Sequence, residues 1–167
     1  MKTRNHAIAL ALFGTAAWAS GRTSPEQIVK DFYRWEIHPT QQEIQDKTYA
    51  PVTSLLGKDL LRALETQRAY ESACARLVPP DIKPYMLDQS PFFLGPDEPT
   101  ALESVTLSIQ GDQAKVSAHL ADDHVRWTDD IVLRMERDRW VIVDIQWDGG
   151  GSLTRRLMDF AGNRCTP

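Results

Sequence analysis

Val105-Thr106-Leu107-Ser108-Ile109, then Gly111-Asp112, then Ala114-Lys115-Val116-Ser117-Ala118-His119-Leu120 is the stretch that decides the fold. Apolar and polar residues alternate on both sides of a Gly-Asp break. A period of two gives each strand one apolar and one polar face, so this stretch predicts a β-hairpin. The alternation resumes with Val125 and Trp127 and continues through Ile131, Leu133 and Met135. Asp129-Asp130 inside that run predicts a bulge or a bend, and Arg137-Asp138-Arg139 predicts the next turn. Trp140 to Trp147 is nearly continuously apolar, broken only by Asp144 and Gln146. Such a run predicts a central strand covered on both faces. The result is a meander of about four antiparallel strands.

On the N-terminal side of this meander the period is helical. Ser24-Pro25-Glu26-Gln27 combines a Ser cap with Pro at the first helical position. Ile28, Val29, Phe32 and Trp35 then share one face, which predicts a helix from Pro25 to Ile37 that His38-Pro39 ends. Thr40-Gln41-Gln42-Glu43 repeats the capping pattern over one or two turns. A longer helix runs from Lys58, just after Gly57, with Leu60, Leu61, Leu64, Cys74 and Leu77 on its apolar stripe, until Pro79-Pro80 stops it. On the C-terminal side Gly149-Gly150-Gly151 breaks the last strand. Ser152 then caps a short helix carrying Leu153, Leu157 and Phe160. Helices grouped before an antiparallel sheet pack on one of its faces, so the predicted fold is a single α+β domain over residues 20–167.

Residues 1–19 read as a signal peptide. Lys2, Arg4 and His6 precede an uncharged, mostly apolar stretch from Ala7 to Trp18, and Ala17-Trp18-Ala19 has the small-x-small pattern of a cleavage site. The apolar run is shorter than the roughly 20 residues a membrane span needs. Removing 19 of 167 residues leaves 148, with 17 of the 19 bases against all 23 acids, a charge near −6. That acidity disfavours nucleic acid and anionic membranes, whose phosphates need clustered Lys and Arg. The expected compartment is the periplasm, with no membrane span after cleavage. In that oxidising setting the two cysteines, Cys74 and Cys165, predict a disulfide. Such a bridge would close a loop of 90 intervening residues, worth roughly 4–5 kcal/mol in the chain-entropy picture.

Chemistry-bearing motifs are sparse. CxxC, HExxH, GxSxG and EF-hand spacings are all absent, so neither a metal nor another cofactor is expected. Asp122-Asp123-His124 reads as a solvated turn, and Gly149 to Ser152 lacks the lysine of a phosphate-binding loop. The segment Asp81 to Thr100 contains four prolines together with Tyr85, Met86, Phe92, Phe93 and Leu94. Its aromatics either fold back over the core or anchor a partner. On the second reading Tyr85, Met86, Phe92 and Phe93 are the anchors, while Asp122, Asp123, Asp129 and Asp130 supply steering charge. A competing acid–base reading would use Asp144 with His119 or Tyr33. Asp144 interrupts an apolar strand, and a structural pairing with Arg134 or Arg126 is the alternative.

Three segments together resemble an uncharacterised domain family of exported bacterial proteins with the nuclear transport factor 2-like, or cystatin-like, fold. They are Ser24-Pro25 through Phe32-Tyr33, the strand Arg139-Trp140-Val141-Ile142-Val143-Asp144-Ile145, and the Gly-rich turn into Ser152-Leu153-Thr154-Arg155. The resemblance implies a cone, with helices held inside a curved sheet. It further implies a periplasmic immunity protein, which would neutralise a secreted cell-wall-degrading toxin (an amidase or a muramidase). The expected function is therefore non-enzymatic protein binding. The alternative is a small-molecule-binding module or acid–base enzyme with a pocket in the cone.

Overall fold

The computed structural model describes residues 23–46, 48–79, 87, 90–95 and 98–163. The expected signal peptide and the anchors Tyr85 and Met86 lie outside these residues, as does Cys165. Helices α1 (Pro25–Ile37), α2 (Gln41–Asp46) and α3 (Lys58–Cys74) come first. Strands β1 (Ala101–Gln110), β2 (Gln113–Ala121), β3 (Arg126–Glu136) and β4 (Arg139–Gln146) follow, and α4 (Leu153–Ala161) comes last. The sheet is antiparallel throughout, in the order β1-β2-β3-β4, so the fold is α+β.

Local chemistry sets the element ends. The Ser24 hydroxyl accepts from the Gln27 amide at 3.2 Å, opening α1 with Pro25 at its first position. At α2, Thr40 and Glu43 form a reciprocal capping box, each side chain accepting from the other's amide at 3.3 and 2.7 Å. The β3–β4 turn has both Arg137 and Asp138 at positive φ, 48° and 67°. This is the primed geometry that follows the twist of the flanking strands. Asp122 and Val125 exchange backbone hydrogen bonds around Asp123-His124. Val125 therefore belongs to that turn rather than to β3.

α1 lays Ile28, Val29, Phe32 and Tyr33 on the inner face of the sheet. That face is built from Val116, Ala118 and Leu120 of β2, Ile131 and Leu133 of β3, and Ile142 and Ile145 of β4, all fully or nearly fully buried.

Three expectations need correction. First, β4 is the terminal strand of the sheet, not a central one. Its apolar run is explained by the segment before α3, which covers its free edge. The Gly57 amide donates to the Ile142 carbonyl at 2.7 Å and the Ile142 amide to the Leu55 carbonyl at 2.8 Å. Only glycine fits that approach without displacing its neighbours, since a Cβ on residue 57 would stand 3.1 Å from Val143 Cγ1 and 3.2 Å from the Ile142 carbonyl oxygen. Second, Asp129 and Asp130 stay in register. The irregularities fall at Glu103 in β1 and Val143 in β4, because both aspartates find hydrogen bonds without leaving the ladder. Third, α3 ends at Cys74 and relaxes into turns well ahead of Pro79; Leu77, exposed, has no core to bury itself in. Among the described residues no helix is long and apolar enough to cross a membrane.

Candidate functional site: a pocket beside a latched aromatic loop

The loop 90–95 is heavily tied to the elements around it. Phe92 is 1% exposed and Phe93 3%. The Phe92 ring meets Phe32 edge-on at 5.0 Å, Tyr49 at 5.9 Å and Trp35 at 6.0 Å, while Phe93 stacks with Tyr33 at 6.5 Å. Its backbone is held from the sheet and from α4. Trp147 Nε1 donates to the Phe92 carbonyl at 2.8 Å. The Arg156 guanidinium donates to the carbonyls of Phe93 at 2.6 Å, Leu94 at 3.0 Å and Pro91 at 3.4 Å, and it lies 4.2 Å from the centre of the Trp147 ring. The Ser90 hydroxyl donates to the Glu36 carboxylate. Phe92 and Phe93 are thus core, and the expectation that they anchor a partner is corrected. Burial of each side chain stabilises the fold by about 1.5–3 kcal/mol, which favours the inward position.

Next to this loop opens a pocket of about 220 Å³ whose lining includes Phe93, Leu94, Val125, Trp127, Asp129 and Trp147. Its floor bears Asp129, 1% exposed, so Asp129 is not the surface steering charge expected from the sequence. The Asp129 carboxylate accepts from Trp127 Nε1 at 3.3 Å and from the Asp148 amide at 3.1 Å. Both bonds are long for a charged acceptor. Burial pushes its pKa up, the neighbouring charges of Asp148 and Asp130 add to that, and the two hydrogen bonds oppose it. The rim carries exposed Leu94 and Val125, 42% and 53% accessible. A larger groove of about 380 Å³ separates α3 from α4. Its one ion pair among the described residues, Asp59–Arg62, is exposed, so of the two the smaller pocket is the one with a buried carboxylate.

α1 carries a second set of buried polar groups. The Tyr33 hydroxyl and the Trp35 indole nitrogen are buried and have no hydrogen-bond partner among the described residues. Burial raises the Tyr33 phenol, and the charges of Asp129 and Glu36 raise it further. Burial also lifts Glu36 to about 7; the Ser90 hydrogen bond pulls it back and the Glu98 charge pushes it up.

The remaining sequence candidates do not converge on the pocket floor. Asp130 points to the opposite face. Burial pulls its pKa upward, but hydrogen bonds from Lys115 at 2.8 Å and Ser117 at 2.6 Å outweigh this and hold it low. Asp123 is exposed and Asp122 half-buried, both at the turn before β3. Among the described residues Asp144 pairs with no arginine. Its Oδ1 accepts from the amides of Ile145 and Thr154, each at 2.9 Å, so it secures the start of α4 beside Ser152. Arg134 pairs with Glu136 and Arg126 with Glu103 instead. His119 bonds Thr128 at 3.0 Å on the polar face of β2, while Tyr33 lies in the core. The acid–base set of Asp144, His119 and Tyr33 is therefore not assembled.

Sequence reasoning missed Glu36 and Arg156, although a signal existed. Glu36 stands four residues after Phe32, and Arg156 stands three after Leu153 and four before Phe160. Both spacings place a charged residue on a buried helical stripe. Cys74 is fully buried, and no cysteine among the described residues is a free thiol. Among the described residues no group of three or more His, Cys, Asp or Glu side chains could hold a metal ion. No family model, curated protein or solved structure matches this chain.

Proposed function

We propose that this chain is an exported, non-enzymatic binding domain that recognises another protein in the periplasm. The observation that carries the reading is the interior filled among the described residues. Phe92, Phe93, Phe32 and Tyr33 occupy the space between α1 and the sheet, where a small-molecule pocket of this fold would need to open. What faces solvent is a rim of apolar side chains, Leu94 and Val125, beside Asp123 and Asp148. Interfaces with protein partners combine an apolar centre with polar surroundings in this way. The recognition surface is accordingly placed at this rim and not at Phe92 and Phe93.

The family resemblance supplies the partner class, a secreted amidase or muramidase that attacks the cell wall, with this chain as its immunity protein. A cleaved leader over residues 1–19 and a Cys74–Cys165 disulfide belong to the same proposal. In its support Cys74 is buried, and Cys165 is the only other cysteine in the chain. The test is to immobilise the oxidised mature protein and present purified amidase and muramidase domains from the same organism. Retention of one of them, with loss of its peptidoglycan hydrolysis, is the expected result. Turnover by this protein itself that disappears in Asp129→Asn would overturn it, as would failure to retain either hydrolase.

A further inference from the structure

We infer that the pocket floored by Asp129 seats a single basic side chain, a lysine or an arginine, presented by the protein partner. This rests on the protein-binding reading above and names the chemistry of its contact. Three observations lead to it. The pocket is small: about 220 Å³ is below the roughly 300–1,000 Å³ of ordinary small-molecule sites, which suits one side chain better than a whole metabolite. Its walls suit an alkyl stem and a cationic head, since exposed Leu94 and Val125 line it together with the less exposed indoles of Trp127 and Trp147.

Its floor has a deficit of positive charge. Asp129 is buried and accepts two long hydrogen bonds, whereas a carboxylate can accept about four. Among the described residues none that lines the pocket is a Lys or Arg, and Asp148 adds a second carboxylate to the lining. The nearby cations are committed elsewhere, Arg126 to Glu103 and Arg156 to the carbonyls of the loop 90–95. The Tyr33 ring stacks on Phe93 of the pocket lining, and its buried hydroxyl, which the charge of Asp129 reaches, has no hydrogen-bond partner among the described residues. A guanidinium or ammonium entering past Trp127 would give Asp129 the donors it lacks. Such a buried, hydrogen-bonded charge pair is where interface affinity and specificity concentrate.

The experiment titrates the purified, oxidised mature protein with n-butylguanidinium and n-butylamine, with 1-butanol and butyrate as controls. Binding is followed by indole fluorescence and by amide chemical shifts of residues 93–95, 125–129 and 147–149. Saturable binding of the two cations, on the order of millimolar, with neither control bound, is expected. Affinity should fall at least roughly tenfold in Asp129→Asn. Val125→Lys, an exposed substitution that tethers a cation at the entrance, should abolish binding with the fold intact, which guards against misreading an unfolded Asp129→Asn. Equal binding of cation and alcohol, or undiminished binding in both variants, overturns the inference. Micromolar affinity for the free amine overturns the side-chain assignment and makes this a small-molecule site. A hydrolase retained equally by the wild type and by folded Asp129→Asn would sink the pocket while leaving the binding function standing. Cation binding without any retained hydrolase would do the reverse.

Discussion

The two faces of β3 carry adjacent aspartates with opposite fates. On the outer face Asp130 meets Lys115 and Ser117 across the strand pair, and its pKa is held low. On the inner face Asp129 lies under the latched loop, paired with no cation among the described residues, and its pKa is pushed up. The side chains are chemically identical and one residue apart. What differs is desolvation and the presence of a partner, the two causes that move a carboxylate in opposite directions. A buried carboxylate without a counter-ion is costly to keep for packing alone, so the inner one is the better candidate for recognition.

The contrast depends on the loop that closes the inner face, and breaking that loop should give the largest effect. Phe92→Ala removes a ring that touches Phe32, Trp35 and Tyr49. It should cost about 3–5 kcal/mol of unfolding free energy in a denaturant titration. A loss below 1 kcal/mol would mean that the ring is not core.

The next effect is a pH dependence. Glu36 is held at about 7 in the folded state against 4.5 unfolded. A carboxyl raised on folding favours the fold when protonated, so its contribution is fully present below pH 4.5 and is lost as pH rises to 7. The loss should be about 3 kcal/mol at most, with Asp129 acting in the same sense. The depressed groups Asp130 and Glu43 act oppositely, losing their stabilisation only as pH falls through their lowered values. Glu36→Gln should flatten unfolding free energy between pH 4.5 and 7; an unchanged slope would exclude Glu36 as its source.

Arg156→Ala should cost about 2 kcal/mol, since it frees three loop carbonyls from a charged donor. Proteolysis within 90–95 should accelerate in parallel, and equal resistance would show that Arg156 does not hold the loop. Smallest of all, Asp130→Asn on the outer face should change stability by less than about 1 kcal/mol, because its lysine is largely exposed. Raising salt should shrink even that difference.

Most of the architecture was legible because it rests on local periodicity. The alternation from Val105 to Leu120 specified the hairpin, and Ser24-Pro25 together with Thr40 and Glu43 marked helix starts through their own capping bonds. The position of β4 was not legible. Its apolar run is equally consistent with a strand between two others and with an edge strand covered by a non-consecutive segment, here Leu55 to Gly57. The site was partly hidden for a related reason. Asp129 and Asp130 look alike in sequence, and only the parity of the strand, set by its pairing with Ala118 and Ser117, sends one inward. Phe92 and Phe93 sit in a proline-rich segment without periodicity, so their direction is decided by Trp147 and Arg156, more than fifty residues away.

The most direct measurement is the side-chain carboxyl titration of β3 by NMR, residue by residue. Asp129 should titrate above the ordinary 3.8 and Asp130 below it, and saturating n-butylguanidinium should draw Asp129 downward while leaving Asp130 in place. Both carboxyls titrating together, or Asp129 titrating below Asp130 in the free protein, would contradict a buried, cation-hungry floor.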